Sequence, residues 1–200
     1  LELNPGTATR KKLSEFRALG VNRLSLGMQS FQPELLERIG RIHDRRGALR
    51  VAEWAQAAGF ENVNFDLLFG LPGQTVAQAR SDIATAIDLA PTHVSYYQLT
   101  IETGSYFFEH PPALPADDLV SVMEKQGRAG LTKQGYRHYE VSAHARRGRQ
   151  CRHNLNYWRF GDYLGIGAGA HSKITSAGPH RVNRFWKLGD PFEYVAKAGL

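Results

Sequence analysis

The stretch "NVNFDLLFGLPGQT", residues 62–75, decides the fold. Its first half alternates. Asn62, Asn64 and Asp66 fall on one side of an extended chain, and Val63, Phe65 and Leu67 on the other, because successive side chains of a strand point to opposite faces. Gly70 and Pro72-Gly73 then interrupt the strand, and Thr75 followed by Gln78 is a capping box that starts a helix. Ala79, Ile83, Ala86, Ile87 and Ala90 recur at helical spacing and give that helix one apolar face. The stretch therefore predicts strand, turn and helix in succession.

Its surroundings repeat the unit. "LGVNRLSLGMQ" (19–29), "AGFENVNFDLLFG" (58–70) and "LAPTHVSYYQLT" (89–100) each leave a helix through Gly or Pro and enter a strand. Leu13, Phe16 and Leu19 mark the apolar face of one preceding helix, stopped by Gly20. Val51, Ala55 and Ala58 mark the next, stopped by Gly59. Strand and helix alternating at this spacing predict parallel βα units, an α/β fold.

The strand faces then point to a site. Leu1 and Leu3, Leu24, Leu26 and Met28, and Val63, Phe65 and Leu67 must turn toward helices. In the last strand Val94 and Tyr96 oppose Ser95 and Tyr97. The other sides carry Glu2 and Asn4, then Arg23, Ser25, Gly27 and Gln29, then Asn62, Asn64 and Asp66. A closed eight-stranded barrel fills its centre with bulky aliphatics. A centre of these polar groups would cost about 1–3 kcal/mol for each one left unpaired. The pattern thus predicts a wide or incomplete barrel whose lumen holds water or a polar ligand. Glu2, Gln29 and Asp66 would stand near the carboxyl ends of their strands, where barrel enzymes place their chemistry. An open doubly wound sheet with irregular strands is the alternative.

Composition bounds the rest. Two hundred residues with 42% hydrophobic content suffice for one domain with a real core, or one domain and part of another. No apolar run approaches the roughly 20 residues of a membrane span, and "LELNPGTATRKK" is not a signal peptide. A single cysteine, Cys151, excludes a disulfide framework and fits a reducing, cytoplasmic compartment. The net charge of +6 suggests an acidic partner. The basic residues are dispersed and no nucleic-acid motif accompanies them, which argues against RNA or DNA. The eight histidines include no HExxH and no CxxC accompanies them, so zinc is disfavoured.

After Glu102 the composition changes. "HPPALP" (110–115) reads as a loop. Leu119, Val122, Met123 and Gln126 suggest a helix from about Asp117, weakened at its end by Gly127 and Gly130. "YRHYEVSAHA" (136–145) reads as a strand entering another sheet, and the aromatics of "RFWKL" (184–188) as packing. "GIGAG" (165–169) lacks the context of a dinucleotide fingerprint and reads as tight backbone packing. "HNLNYW" (153–158) is ambiguous on its own: Tyr157 and Trp158 are as readily core aromatics as ligand contacts, and His153 a satisfied histidine. Flanked by Arg149, Arg152 and His153, Cys151 would be stabilised as thiolate, though no orienting acid stands nearby.

"NRLSLGMQSF", "GRIH", "NVNFDLLFGLPGQT" and "HVSYYQLTIE" resemble the radical S-adenosylmethionine family related to oxygen-independent coproporphyrinogen III oxidase. "CRHNLNYWRFGDYLGIGAGAHS" resembles its HemW-type haem-chaperone branch. The resemblance implies a partial (βα)6 TIM-like barrel, with the N-terminal units missing, over residues 1–109, and a C-terminal α+β accessory region over 110–200. It implies that Glu2, Gln29, Arg41 and Asp66 bind S-adenosylmethionine. It further implies that His153, Asn154, Tyr157 and Trp158 bind haem, with His153 as a candidate iron ligand and Arg149, Arg152 and Arg159 near the propionates. The implied partners are haem and recipient haemoproteins, a second copy in a homodimer and membrane-associated targets, with no nucleic acid.

The family holds a 4Fe–4S cluster through CxxxCxxC, which this chain lacks. With the strand-like start at Leu1, that predicts a fragment of a longer protein. Whether the chain takes part in catalysis stays open; alone, it is expected to assemble no cluster. The branch implies haem delivery. The alternative is oxidative decarboxylation of coproporphyrinogen III in porphyrin biosynthesis.

Overall fold

A computed structural model describes residues 1–176, 178 and 181–198. It resolves into two compact units, Leu1–Gln150 and Cys151–Leu200. Among the described residues no helix is long and apolar enough to cross a membrane.

The first unit opens with β1 (Glu2–Leu3) and a 3-10 turn at Pro5–Thr7, followed by α1 (Arg10–Ala18) and β2 (Leu24–Gln29). Next come α2 (Pro33–Arg38), α3 (Arg45–Ala57), β3 (Val63–Phe69), α4 (Val76–Asp88) and β4 (His93–Gln98). It closes with α5 (Tyr106–Glu109), α6 (Asp117–Lys133), β5 (Arg137–His138) and β6 (Ala143–Ala145). The sheet order is β1-β2-β3-β4-β6-β5. The first four strands are parallel, and β6 and β5 add antiparallel to β4.

Local chemistry explains the helix limits. Thr75 and Gln78 form the expected capping box at α4. Asp44 caps α3 by accepting from the Gly47 N–H. Gly20 and Gly59 follow α1 and α3 at φ 94° and 79°, where an L side chain would be strained. Leu24, Leu26, Met28, Phe65, Leu67 and Val94 are buried in one core with Leu13, Val51, Ala55, Ala79, Ile83 and Ala86. The strand faces lie as the alternation predicts.

Three expectations change. Leu19 is 81% exposed, because α1 ends at Ala18 and the capping turn swings Leu19 outward. Helix α6 turns Val120, Met123, Gly127 and Leu131 inward, whereas Leu119 and Val122 are exposed. It also runs unbroken through its glycines: a Cβ at position 127 would overlap the Tyr96 ring, so glycine there permits close helix–sheet contact. Finally, "YRHYEVSAHA" is two short strands that extend the main sheet rather than one strand of another. The segment 110–150 lies in the first compact unit.

The second unit contains α7 (Arg152–Trp158), the antiparallel pair β7 (His171–Thr175) and β8 (Val182–Trp186), and α8 (Pro191–Ala198). Lys173 is 2% exposed. Its ammonium donates to Asp162 Oδ1 and to the Phe160 carbonyl, both at 2.8 Å, and stands over the Phe160 ring. This fastens the chain after α7 to β7. Phe185 and Trp186 of "RFWKL" are 54% and 76% exposed, so they are not packed as expected. At Gly165 a Cβ would strike the His171 carbonyl, consistent with tight backbone packing at "GIGAG".

Candidate functional site

The register of the first unit lays a row of residues across one face: Glu2 on β1, Ser25 on β2, Asn64 on β3, His93 on β4, Ala145 on β6 and Arg137 on β5. Asp66, Ser95 and Ala143 form part of the next row on the same face. The apolar row between them faces the helices and ends in the stacked His144 and His138 rings. Both nitrogens of His144 are buried without a partner, and burial lowers its pKa to about 4.

The polar face is internally bonded. Ser25 Oγ donates to Asp66 Oδ2 at 2.9 Å; Asn64 Nδ2 donates to Ser25 Oγ at 2.6 Å and to Asp66 Oδ1 at 2.8 Å. Burial raises the Asp66 pKa. Bonds from Ser25, Asn64 and Ser95 pull it back, and the Glu2 charge raises it further. A carboxyl whose folded pKa is raised contributes stability below its unfolded value, and that contribution is lost as pH rises through the folded value. Wild type is therefore expected to lose stability relative to Asp66→Asn as pH rises from the ordinary carboxyl value through the raised folded value, as read from urea midpoints. A constant difference over that range would refute this.

Gln29 ends β2 in a left-handed conformation, φ 63°, after a break in the β2/β3 register. A conformation this unfavourable for a side chain persists only when its surroundings impose it. Here Asp82, 1% exposed on α4, does so. It accepts from Ser30 Oγ at 2.7 Å, from the Phe31 N–H at 2.8 Å and from Gln32 Nε2 at 3.1 Å. Arg41 reaches the same corner by donating to Asn4 Oδ1 at 3.1 Å. Position 27 lies between these groups. A Cβ there would come within 2.9 Å of both Asn4 Oδ1 and Gln29 Nε2, so glycine makes room for these two side chains to close over it.

The structure thus brings Glu2, Gln29 and Asp66 to one polar face, with Arg41 joined to it through Asn4. Sequence reading missed Asp82; the signal was an acid at helical spacing between Ala79 and Ala86. In "GLPGQT", Gly73 meets Arg38: its guanidinium occupies the space a Cβ would need and donates to the Pro72 carbonyl at 2.9 Å. The loops after β2 and β4 enclose a cavity of about 650 Å³ lined by residues including Arg38, Thr100, Glu102 and Tyr106.

In the second unit His153, Asn154, Tyr157 and Trp158 share one side of α7. At about 100° per residue, His153, Tyr157, Asn154 and Trp158 span an arc of about 140°. Arg152 and Arg159 leave the helix on the opposite side, and Arg149, in the first unit, faces Glu61 at 3.6 Å. His153 meets Tyr157 edge-on, centroids 4.6 Å apart, and Tyr157 leans on Tyr163 at 4.5 Å. Tyr157 is 45% exposed and Trp158 59%, so neither is a core aromatic. Asn156, between them in sequence, turns back and donates to the Asp162 carbonyl at 3.0 Å. Among the described residues no group of three or more His, Cys, Asp and Glu is placed to hold a metal ion.

Residues 1–86 match the Radical SAM superfamily. The haem chaperone HemW of Escherichia coli (strain K12) is 50% identical over 175 residues, which is 88% of this chain and 46% of that protein. HemW of Haemophilus influenzae is 46% identical over 195 residues, 98% of this chain and 51% of that one. The chain therefore spans about half the length of the curated relatives it matches. Among solved structures, coproporphyrinogen III oxidase (HemN) from Escherichia coli, a radical SAM enzyme, superposes with a TM-score of 0.80 at 21% identity. The match covers 99% of this chain and 48% of that one. At that identity the likeness is one of fold, and it bears out the partial barrel.

Proposed function

We propose that this chain, which belongs to the radical S-adenosylmethionine superfamily, is the cofactor-binding and haem-binding portion of a haem chaperone. In the whole protein S-adenosylmethionine and a 4Fe–4S cluster accompany haem, which is handed to recipient haemoproteins. The observation that carries the reading is the exposed arc of α7. A helix side presenting His153, Tyr157 and Trp158 to solvent, with Asn154 half-buried beside them, leaves apolar ring surface uncovered next to an imidazole. An imidazole ligates haem iron and flat aromatics pack on a porphyrin face.

S-adenosylmethionine suits the chemistry of the polar face. The carboxylates of Glu2 and Asp66 accept from amino and ribose hydroxyl groups, Gln29 offers an amide, and Arg41 pairs with a carboxylate as a fork. The cluster does not fit these residues: one cysteine cannot supply the three thiolates it needs, so its ligands would belong to another part of the protein. The cytoplasm is the setting that a single cysteine supports, and a second copy or membrane-associated haemoproteins are further partners of this reading.

Haem titration of the full-length protein tests it. His153→Ala is expected to weaken haem binding about tenfold or more and to shift the absorption spectrum of the complex. An unchanged titration would remove His153 from the site. The second reading, oxygen-independent coproporphyrinogen III oxidase, is favoured by the fold likeness alone, and fold does not fix function. An anaerobic coproporphyrinogen III assay on the same protein separates the two: turnover without haem binding would select the oxidase.

A further inference from the structure

The polar face is extended by two residues, His93 and Tyr139, to which neither the resemblance nor the comparisons give a role. His93 is fully buried. Its Nδ1 lies 2.5 Å from Asn64 Oδ1 and its Nε2 lies 2.7 Å from the Tyr139 hydroxyl. The direction of each bond follows by elimination. Asn64 donates both amide hydrogens, to Ser25 Oγ and to Asp66 Oδ1, so its Oδ1 accepts. The flipped amide would set an oxygen against the Asp66 carboxylate. Asn64 Oδ1 can only accept, so the ring nitrogen facing it must be Nδ1–H; Ser95 Oγ lies 3.1 Å from the same oxygen. The imidazole is neutral, since burial lowers its pKa to about 3 with the Arg23 and His144 charges adding to the effect. Nε2 is therefore bare and accepts from the Tyr139 O–H. Every proton in the series Tyr139, His93, Asn64 points toward Asp66.

We propose that Tyr139 and His93 are positioning residues for Asp66: the Tyr139 hydroxyl holds His93 in the Nδ1–H tautomer, which fixes the Asn64 amide and through it the orientation of the carboxylate that faces the ligand. With the hydroxyl absent, a neutral histidine is free to carry its proton on Nε2. Nδ1 then becomes an acceptor facing an acceptor, and the Asn64 amide is driven to turn away from Asp66. The hairpin of β5 and β6, outside the parallel strands, thereby sets the geometry of the pocket. The assignment rests on the S-adenosylmethionine reading above for its ligand, and not for its hydrogen bonds.

The test has two arms on the full-length protein. In the first, nitrogen NMR of 15N-histidine-labelled protein reads the His93 tautomer without any ligand. A bare Nε2 in the wild type is expected, and a protonated Nε2 overturns the proposal whatever S-adenosylmethionine does. In the second, S-adenosylmethionine dissociation constants are measured for wild type, Tyr139→Phe, His93→Asn and the double variant. Asparagine at 93 places a fixed N–H where Nδ1 stood and cannot change tautomer. Tyr139→Phe is expected to weaken binding about tenfold in the wild-type background and to have no effect in the His93→Asn background. Equal effects in both backgrounds, or none in either, overturn it. A wild type that shows the expected tautomer but binds no S-adenosylmethionine sinks the ligand reading and leaves the hydrogen-bond direction standing.

Discussion

Asp82→Ala is expected to lower the unfolding free energy by about 3–5 kcal/mol, read as a shift of the urea midpoint with little change in slope. The carboxylate is nearly inaccessible and collects donors from Ser30, the Phe31 backbone and Gln32. Removing it strands the Phe31 N–H in the interior and leaves a void inside α4, and each of these carries a cost. Asp82→Asn keeps one acceptor oxygen and is expected to cost about half as much. The second consequence is functional. Without the clamp, Gln29 relaxes from its left-handed conformation and its side chain leaves the polar face. Ligand affinity should then fall in variants still folded at low temperature. A midpoint within experimental error of wild type for Asp82→Ala would show that the turn after β2 holds itself.

Gly127→Val is the second large effect, a loss of about 2–4 kcal/mol measured in the same way. Glycine within a helix ordinarily costs about 1 kcal/mol relative to alanine, so replacing it would stabilise a helix standing free. Here the Tyr96 ring occupies the space a side chain would need. That ring is 4% exposed, packs on Phe69 with centroids 4.4 Å apart and donates its hydroxyl to the Met123 carbonyl at 3.3 Å. It has nowhere to retreat, so α6 must lift from β4. Gly127→Ala balances improved helix propensity against a smaller overlap and is expected to cost about 1–2 kcal/mol. A stabilised alanine variant would show that the ring yields.

The parallel core was legible because it rests on local periodicities. Alternation within β2 and β3, the 3.6-residue spacing on α4, the capping box at Thr75 and the stop glycines at 20 and 59 each act over a few residues, and tertiary contacts agreed with them. The hairpin was not legible. "YRHYEVSAHA" alternates well enough to read as one strand, and only pairing of Ala143 with Ser95, a contact nearly fifty residues away, divides it and draws it into the main sheet. Helix α6 was found, but its inward face was misassigned, because the residue that seats it is a glycine and carries no hydrophobic signal. Glu2, Gln29 and Asp66 were legible as one face, since parallel register keeps alternation in step from strand to strand. Asp82 and His93 were not, because both act through partners distant in sequence.

The antiparallel hairpin at one side of the sheet has a consequence for closure. A run of parallel strands advances around a barrel by helical crossovers, each new stave covered by its own helix. Once β6 runs backwards beside β4, that progression stops. The two-residue β5 becomes a rim, with Arg137 and His138 exposed along it. The sheet of this unit therefore ends on one side in a two-residue antiparallel strand, and no further parallel strand follows β4 in it.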